Sequence, residues 1–121
     1  MENFTIKTQS GHSYNFNKIN LDIVNSTIVW KDTMIKLDSG FNDYVYLYEI
    51  DNGNELCVLS INYSLPYIGL DIYSDNNNNG IIEKDYSVFL QTENEFMEYG
   101  FNSTFANYSD KDIITRLSIL M

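Results

Sequence analysis

Two runs of strand-favouring residues face each other across a turn, and they constrain the fold more than any other feature of the chain. Tyr44-Val45-Tyr46-Leu47-Tyr48-Glu49-Ile50 and Leu56-Cys57-Val58-Leu59-Ser60-Ile61 are separated by Asp51-Asn52-Gly53-Asn54. β-Branched and aromatic side chains suit a pleated surface. Asn-Gly supplies the two positive-φ positions of a type I′ turn, so the pair predicts a β-hairpin. Apolar groups fall on both faces of both runs, which places the hairpin near the middle of a sheet.

Weaker strand signals surround it. Phe4-Thr5-Ile6-Lys7-Thr8 alternates and leads through Ser10-Gly11-His12 into Tyr14-Asn15-Phe16, predicting a first hairpin. Ile19-Asn20-Leu21-Asp22-Ile23 alternates strictly and reads as a half-buried strand. Thr27–Trp30 and Met34–Leu37 flank Lys31-Asp32-Thr33 and predict another short pairing. After Pro66, strand character resumes over Tyr67–Tyr73 and returns at Ile81-Ile82 and Tyr86–Leu90. Near the C-terminus the period changes. Ser109-Asp110-Lys111-Asp112 has the form of a capping box, and Ile113, Ile114, Leu117 and Leu120 follow at helical spacing. An amphipathic helix of about three turns is expected there. Glu93–Glu98 fits a helix and a loop equally. The expected fold is α+β, mainly β: an antiparallel sheet or meander of about six to eight strands with a C-terminal amphipathic helix. At 121 residues the chain, 1–121, is expected to make a single compact domain.

Charge narrows the function classes. Seventeen acidic and seven basic residues give a net charge of −10. Met1 to Leu37 carries +1, and Arg116 adds another +1. Between them, Asp38 to Asp112 holds fourteen acids against Lys84 and Lys111, a net of −12. Phosphate binding requires a basic surface, so direct nucleic-acid binding is not expected. A basic protein is the partner such a surface attracts, including a nuclease or other nucleic-acid-binding protein. No apolar run approaches the ~18 residues of a membrane span. The N-terminus lacks a signal-peptide pattern, so an intracellular, cytoplasmic setting is expected, in a bacterial or phage context given the Asn, Ile and Tyr bias.

Catalytic constellations lack their parts. His12 is the one histidine and lies in a Ser-Gly-His-Ser turn; Cys57 is the one cysteine and lies in an apolar run. A Cys/His nucleophile or a thiolate–imidazole metal site cannot be assembled from these. Phosphate-loop, Gly-x-Ser-x-Gly and His-Glu-x-x-His patterns are missing from the sequence. Catalytic residues are therefore expected to be none, and the chain is read as a binding protein and not an enzyme.

One segment resembles a known ion site. Asp75-Asn76-Asn77-Asn78-Asn79-Gly80-Ile81-Ile82-Glu83-Lys84-Asp85-Tyr86 is similar to the calcium loop of EF-hand and dockerin proteins. The resemblance implies Ca²⁺ ligands at Asp75, Asn77, Asn79, Ile81 (by its carbonyl) and Glu83, with Gly80 at the sharp turn. Tyr86 stands where the loop family has its bidentate acid, and strand-like residues flank the segment. The competing reading, preferred on those departures, is a hairpin loop closed by a type I′ turn at Asn79-Gly80, with no cofactor.

The candidate partner-binding residues are the acids of the hairpin turn, the Asn-rich region and the 93–98 segment. They are Asp51, Glu55, Asp71, Asp75, Glu83, Asp85, Glu93, Glu95 and Glu98. Tyr67 and Tyr73 join them as aromatic anchors, since a Tyr ring buries area while its hydroxyl keeps a partner. In size, acidity and missing catalytic motifs the chain resembles phage anti-CRISPR and other anti-defence inhibitors, and toxin-immunity proteins. The resemblance implies inhibition of a basic target by occlusion. The alternatives are a calcium-binding β module and a structural subunit of a larger assembly.

Overall fold

The computed structural model describes residues 3–37, 44–62, 67–101 and 108–117. Strands β1 (Asn3–Lys7), β2 (Ser13–Ile19), β3 (Thr27–Trp30), β4 (Thr33–Lys36), β5 (Tyr44–Ile50), β6 (Glu55–Asn62), β7 (Tyr67–Ser74) and β8 (Glu83–Leu90) precede two helices, α1 (Glu93–Glu98) and α2 (Asp110–Leu117). Six strands form one antiparallel sheet in the order β1-β2-β5-β6-β7-β8, and β3-β4 form a separate two-stranded sheet. The mainly-β expectation with a helix near the C-terminus holds.

The central hairpin forms as the alternation requires, pairing from Tyr44↔Ile61 to Ile50↔Glu55. Its turn is wider than the two-residue type I′ turn predicted. Asp51, Asn52 and Gly53 are all left-handed (φ 50°, 62° and 89°), and the Asn54 amide donates to the Ile50 carbonyl at 3.0 Å. The widening goes with a long-range contact. Asp51 is held to β2: its amide donates to the Asn15 carbonyl and its Oδ1 accepts the Asn15 amide, both at 2.9 Å. Gly53 is buried, and a Cβ there would sit 3.3 Å from Glu49 Oε2. The positive φ favours glycine, and any Cβ would also require the Glu49 carboxylate to give by a few tenths of an ångström. The type I′ geometry appears instead at Lys31-Asp32, both left-handed (φ 49° and 59°), which join β3 to β4.

Side chains alternate across the sheet and feed two cores. On one face, Tyr48, Ile50, Cys57, Leu59, Ile61, Ile68, Leu70 and Leu90 pack with Phe96 and Phe101 around α1 and with Ile113, Ile114 and Leu117 of α2. On the other, Leu47, Leu56, Val58 and Tyr73 pack beneath Ile28, Trp30, Ile35 and Leu37 of the β3-β4 layer. Trp30 fastens that layer through its Nε1–H, which donates to Glu49 Oε2 at 2.8 Å. The strand predicted through Ile23 stops at Ile19, because the chain must leave the sheet there to reach the covering hairpin. Ile23 is consequently left 47% exposed.

Both helices carry local start signals. Thr92 caps α1: its hydroxyl accepts the Glu95 amide, and Glu95 Oε1 accepts the Thr92 amide, a complete capping box. Those bonds, from the Gln91 amide, the Thr92 hydroxyl and the Thr92 amide, hold the Glu95 carboxyl below its usual range. Ser109 caps α2 through the Asp112 amide at 3.2 Å, as predicted; Leu120 lies outside the described residues. Two sheet tyrosines then hold α2 at its ends. Tyr48 donates to Asp110 Oδ2, and Tyr86 donates to the Leu117 carbonyl, each at 2.5 Å. Tyr48→Phe and Tyr86→Phe keep the packed rings and delete the hydroxyls that make these bonds. Each is expected to lower unfolding free energy by about 1–2 kcal/mol in denaturant titration, with faster hydrogen exchange confined to α2 amides.

Candidate partner-binding site

Three turns meet at one end of the sheet. The 51–54 turn, the 75–82 loop and the Lys31 corner enclose an open cleft of about 670 Å³, lined by Asn54, Glu55, Ser74, Asp75, Asn78 and Ile82 among others. It is a polar cleft whose one lining cation is Lys31. The Lys31 stem reaches Gly53, with Cε 3.6 Å from where a Cβ would stand, and its ammonium lies 5.1 Å from the Trp30 ring centroid.

The Asn-rich loop is organised by one carboxylate. Asp75 Oδ1 accepts the Asn79 amide at 3.0 Å and Oδ2 accepts the Gly80 amide at 2.9 Å, while Asn79 Oδ1 accepts the Ile81 amide at 3.0 Å. The left-handed residues are Asn78 and Gly80 (φ 53° and 80°), so the hairpin closes through an Asx-braced loop and not through a type I′ turn at Asn79-Gly80. Of the residues the calcium resemblance names, Asp75 and Asn79 thus brace backbone amides, and Glu83 opens β8 opposite Ser74. Tyr86, at the loop's twelfth position, turns to the helix-side core, and Asp85 accepts a hydrogen bond from the Ser74 hydroxyl. A hairpin loop does join β7 to β8, without the type I′ turn expected at Asn79-Gly80. Calorimetric titration with Ca²⁺ is expected to give no binding heat and no rise in Tm.

Glu55 is the electrostatic centre of this end. It is half-buried in the cleft wall, and its carboxyl is pushed above the usual carboxylate range, first by burial, then by repulsion from Asp85 and Asp51. Among the described residues one ion pair forms, Lys84 with Asp71 at 3.9 Å, and it lies on the neighbouring β7-β8 surface. Lys31 lines the same cleft, but among the described residues no ion pair joins it to Glu55, Asp51 or Asp85. A raised folded-state pKa means that the folded protein holds its proton more tightly than the unfolded chain. The contribution is intact below the ordinary value of 4.5 and is lost as pH rises through the folded pKa. Glu55→Gln should accordingly raise Tm at pH 7, with the gain shrinking to nothing below about pH 4. Thermal melts across that range check it.

The remaining candidates divide by what they touch. Asp71 Oδ1 accepts the Ser87 hydroxyl at 2.5 Å. Glu95 is committed to the α1 cap, whereas Glu93 and Glu98 are exposed on the same helix. Tyr67 and Tyr73, expected as exposed anchors, are 7% and 6% exposed. Tyr67 lies over Gly69 and stacks on Phe89 with centroids 6.0 Å apart, and Tyr73 belongs to the hairpin-side core. Strand tyrosines flanking a glycine spend their area on the sheet itself. His12 is exposed in its turn, its ring 4.2 Å from that of Tyr14. Cys57 is buried, and burial above all pushes its thiol up, so it stays protonated and unreactive at neutral pH.

Sequence reasoning left α1 open although its signal was present: Thr92-x-x-Glu95 is a capping box just before Phe96. The gathering of Lys31, Glu55, Asp75 and Asp85 at one end carries no sequence signal, because it depends on which strands are neighbours. Among the described residues no helix is long and apolar enough to cross a membrane. Comparisons with protein-family models, with curated proteins and with solved structures return no match for the chain.

Proposed function

We propose that this chain is a binding protein, not an enzyme, whose acidic sheet end docks on a basic protein and blocks it, with a nucleic-acid-acting enzyme as the target class. The reading rests on the repelling group of Glu55, Asp51 and Asp85 beside the polar cleft. Like charges held close by a rigid sheet carry an electrostatic cost in the free protein. A guanidinium or ammonium group placed among them relieves that cost, so the relief is available only on binding. The net charge of −10 adds long-range steering toward a basic surface.

A panel of basic nucleases, each immobilised and probed with the full chain by biolayer interferometry, tests it. Binding should weaken steeply between low and high salt, and nucleic acid should compete. Glu55→Gln with Glu83→Gln should slow association several-fold while dissociation changes less. No binding across the panel, or binding indifferent to salt, would sink the proposal.

A further inference from the structure

The outer surface of the β3-β4 hairpin is the opposite of the acidic end. Among the described residues, four of the eight exposed large hydrophobics fall within twelve residues there: Ile23 (47%), Val24 (64%), Val29 (56%) and Met34 (75%). Val29 and Met34 are cross-strand partners, and both point away from the core that Ile28 and Ile35 fill. Beside them lies a hollow of about 560 Å³ lined by Leu21, Val24, Thr27, Val29 and Met34, with Asp22 and Asn25 at its rim. Solvent-facing residues of a covering hairpin are ordinarily polar, so a clustered apolar set marks an interaction surface.

Charge selects the occupant. From Leu21 to Leu37 two acids, Asp22 and Asp32, balance two bases, Lys31 and Lys36. The chain beyond Leu37 carries a net of −11. Two copies meeting through that remainder would set negative surface against negative surface. Through the hairpin they meet apolar to apolar, with Asp22 at the hollow and exposed Lys36 on β4 as the charges of each copy that can face the other. Shape agrees with charge. A two-fold interface needs a surface complementary to itself, and here a projecting, flexible Met34 stands next to a hollow of matching chemistry. We infer that the outer face of the β3-β4 hairpin is a homodimer interface, with Met34 of each copy entering the partner's hollow. This inference is independent of the basic target proposed above, since it uses the other surface and the opposite salt dependence.

Sedimentation velocity on the full chain tests it over a concentration series at low and high salt. The expected result is a concentration-dependent species of about twice 14.1 kDa that salt preserves or strengthens, because screening removes repulsion between acidic copies. Met34→Glu and Met34→Lys should each weaken the dimer roughly tenfold or more while leaving the thermal melt of the dilute monomer unchanged, since the side chain is 75% exposed there. The pair of opposite charges separates lost apolar contact from added repulsion. Met97→Glu places the same charge at another exposed methionine (64%), on α1, and should leave the dimer intact. A monomer at every concentration, a dimer indifferent to both Met34 variants, or equal loss with Met97→Glu would overturn the inference.

Discussion

Because β6 and β7 carry apolar side chains on both faces, the sheet has to be covered twice, and the rest of the molecule follows from that requirement. Every residue of β6 from Leu56 to Asn62 is buried, and in β7 only Asp71 is partly open. At about 25 cal/mol per Å² of apolar surface, neither face can be left in water. One cover is made from the chain between β2 and β5, which folds into the β3-β4 hairpin. The other is made after β8, where α1 and α2 supply phenylalanine, isoleucine and leucine to the opposite core. The two covers are held differently. An indole-to-carboxylate bond from Trp30 secures the hairpin, whereas hydroxyls from two strands hold α2 at its ends.

Two-sided burial also decides where charge can go. Carboxylates are excluded from the middle of the sheet and collect at strand ends, turns and α1. Asp71 enters the central strands only with Ser87 and Lys84 beside it. Of the acids at this end, Asp51 sits on a turn tied to Asn15, whereas Glu55 opens β6 and Asp85 lies within β8, so bonded backbone limits how far they can move apart. Rigid placement of like charge is a consequence of how the turns and strands are built, and it gives one end of the molecule a character that composition alone does not.

What could be read from the residues follows the range of the interactions involved. The β5-β6 hairpin, the β1-β2 hairpin, the β3-β4 pairing and the Ser109 cap rest on neighbours a few residues apart, and all were legible. The details of the turns were less so. Asn52-Gly53 announces a two-residue turn, but Asp51 is drawn into a ladder with Asn15, thirty-six positions away, and the turn opens by a residue. Ile19–Ile23 alternates well enough for a strand, and β5 runs on past Leu47 to Tyr44 where it would pair, yet the chain leaves the sheet after Ile19 to form the covering hairpin. Tyr67 and Tyr73 are chemically suited to an interface, and their burial follows from a glycine and a neighbouring hairpin that periodicity cannot show. The clustering of charge at one end was invisible for the same reason.

The order of strands bears on how the chain assembles. Within the large sheet, β1-β2, β5-β6, β6-β7 and β7-β8 join strands that follow one another in sequence, and β2-β5 alone spans an intervening pair. Hairpins of adjacent strands close in microseconds, whereas a longer excursion must first lose the freedom of its loop. The β5–β8 block can therefore form as a unit, and the β1-β2 ribbon joins it once the β3-β4 segment has collapsed onto the face it covers. The β2-β5 seam, from Phe16↔Ile50 to Ile19↔Leu47, is then the one junction of the large sheet between strands that are not consecutive in the chain. It is the place where a partly folded molecule would open first, with its central strands still paired.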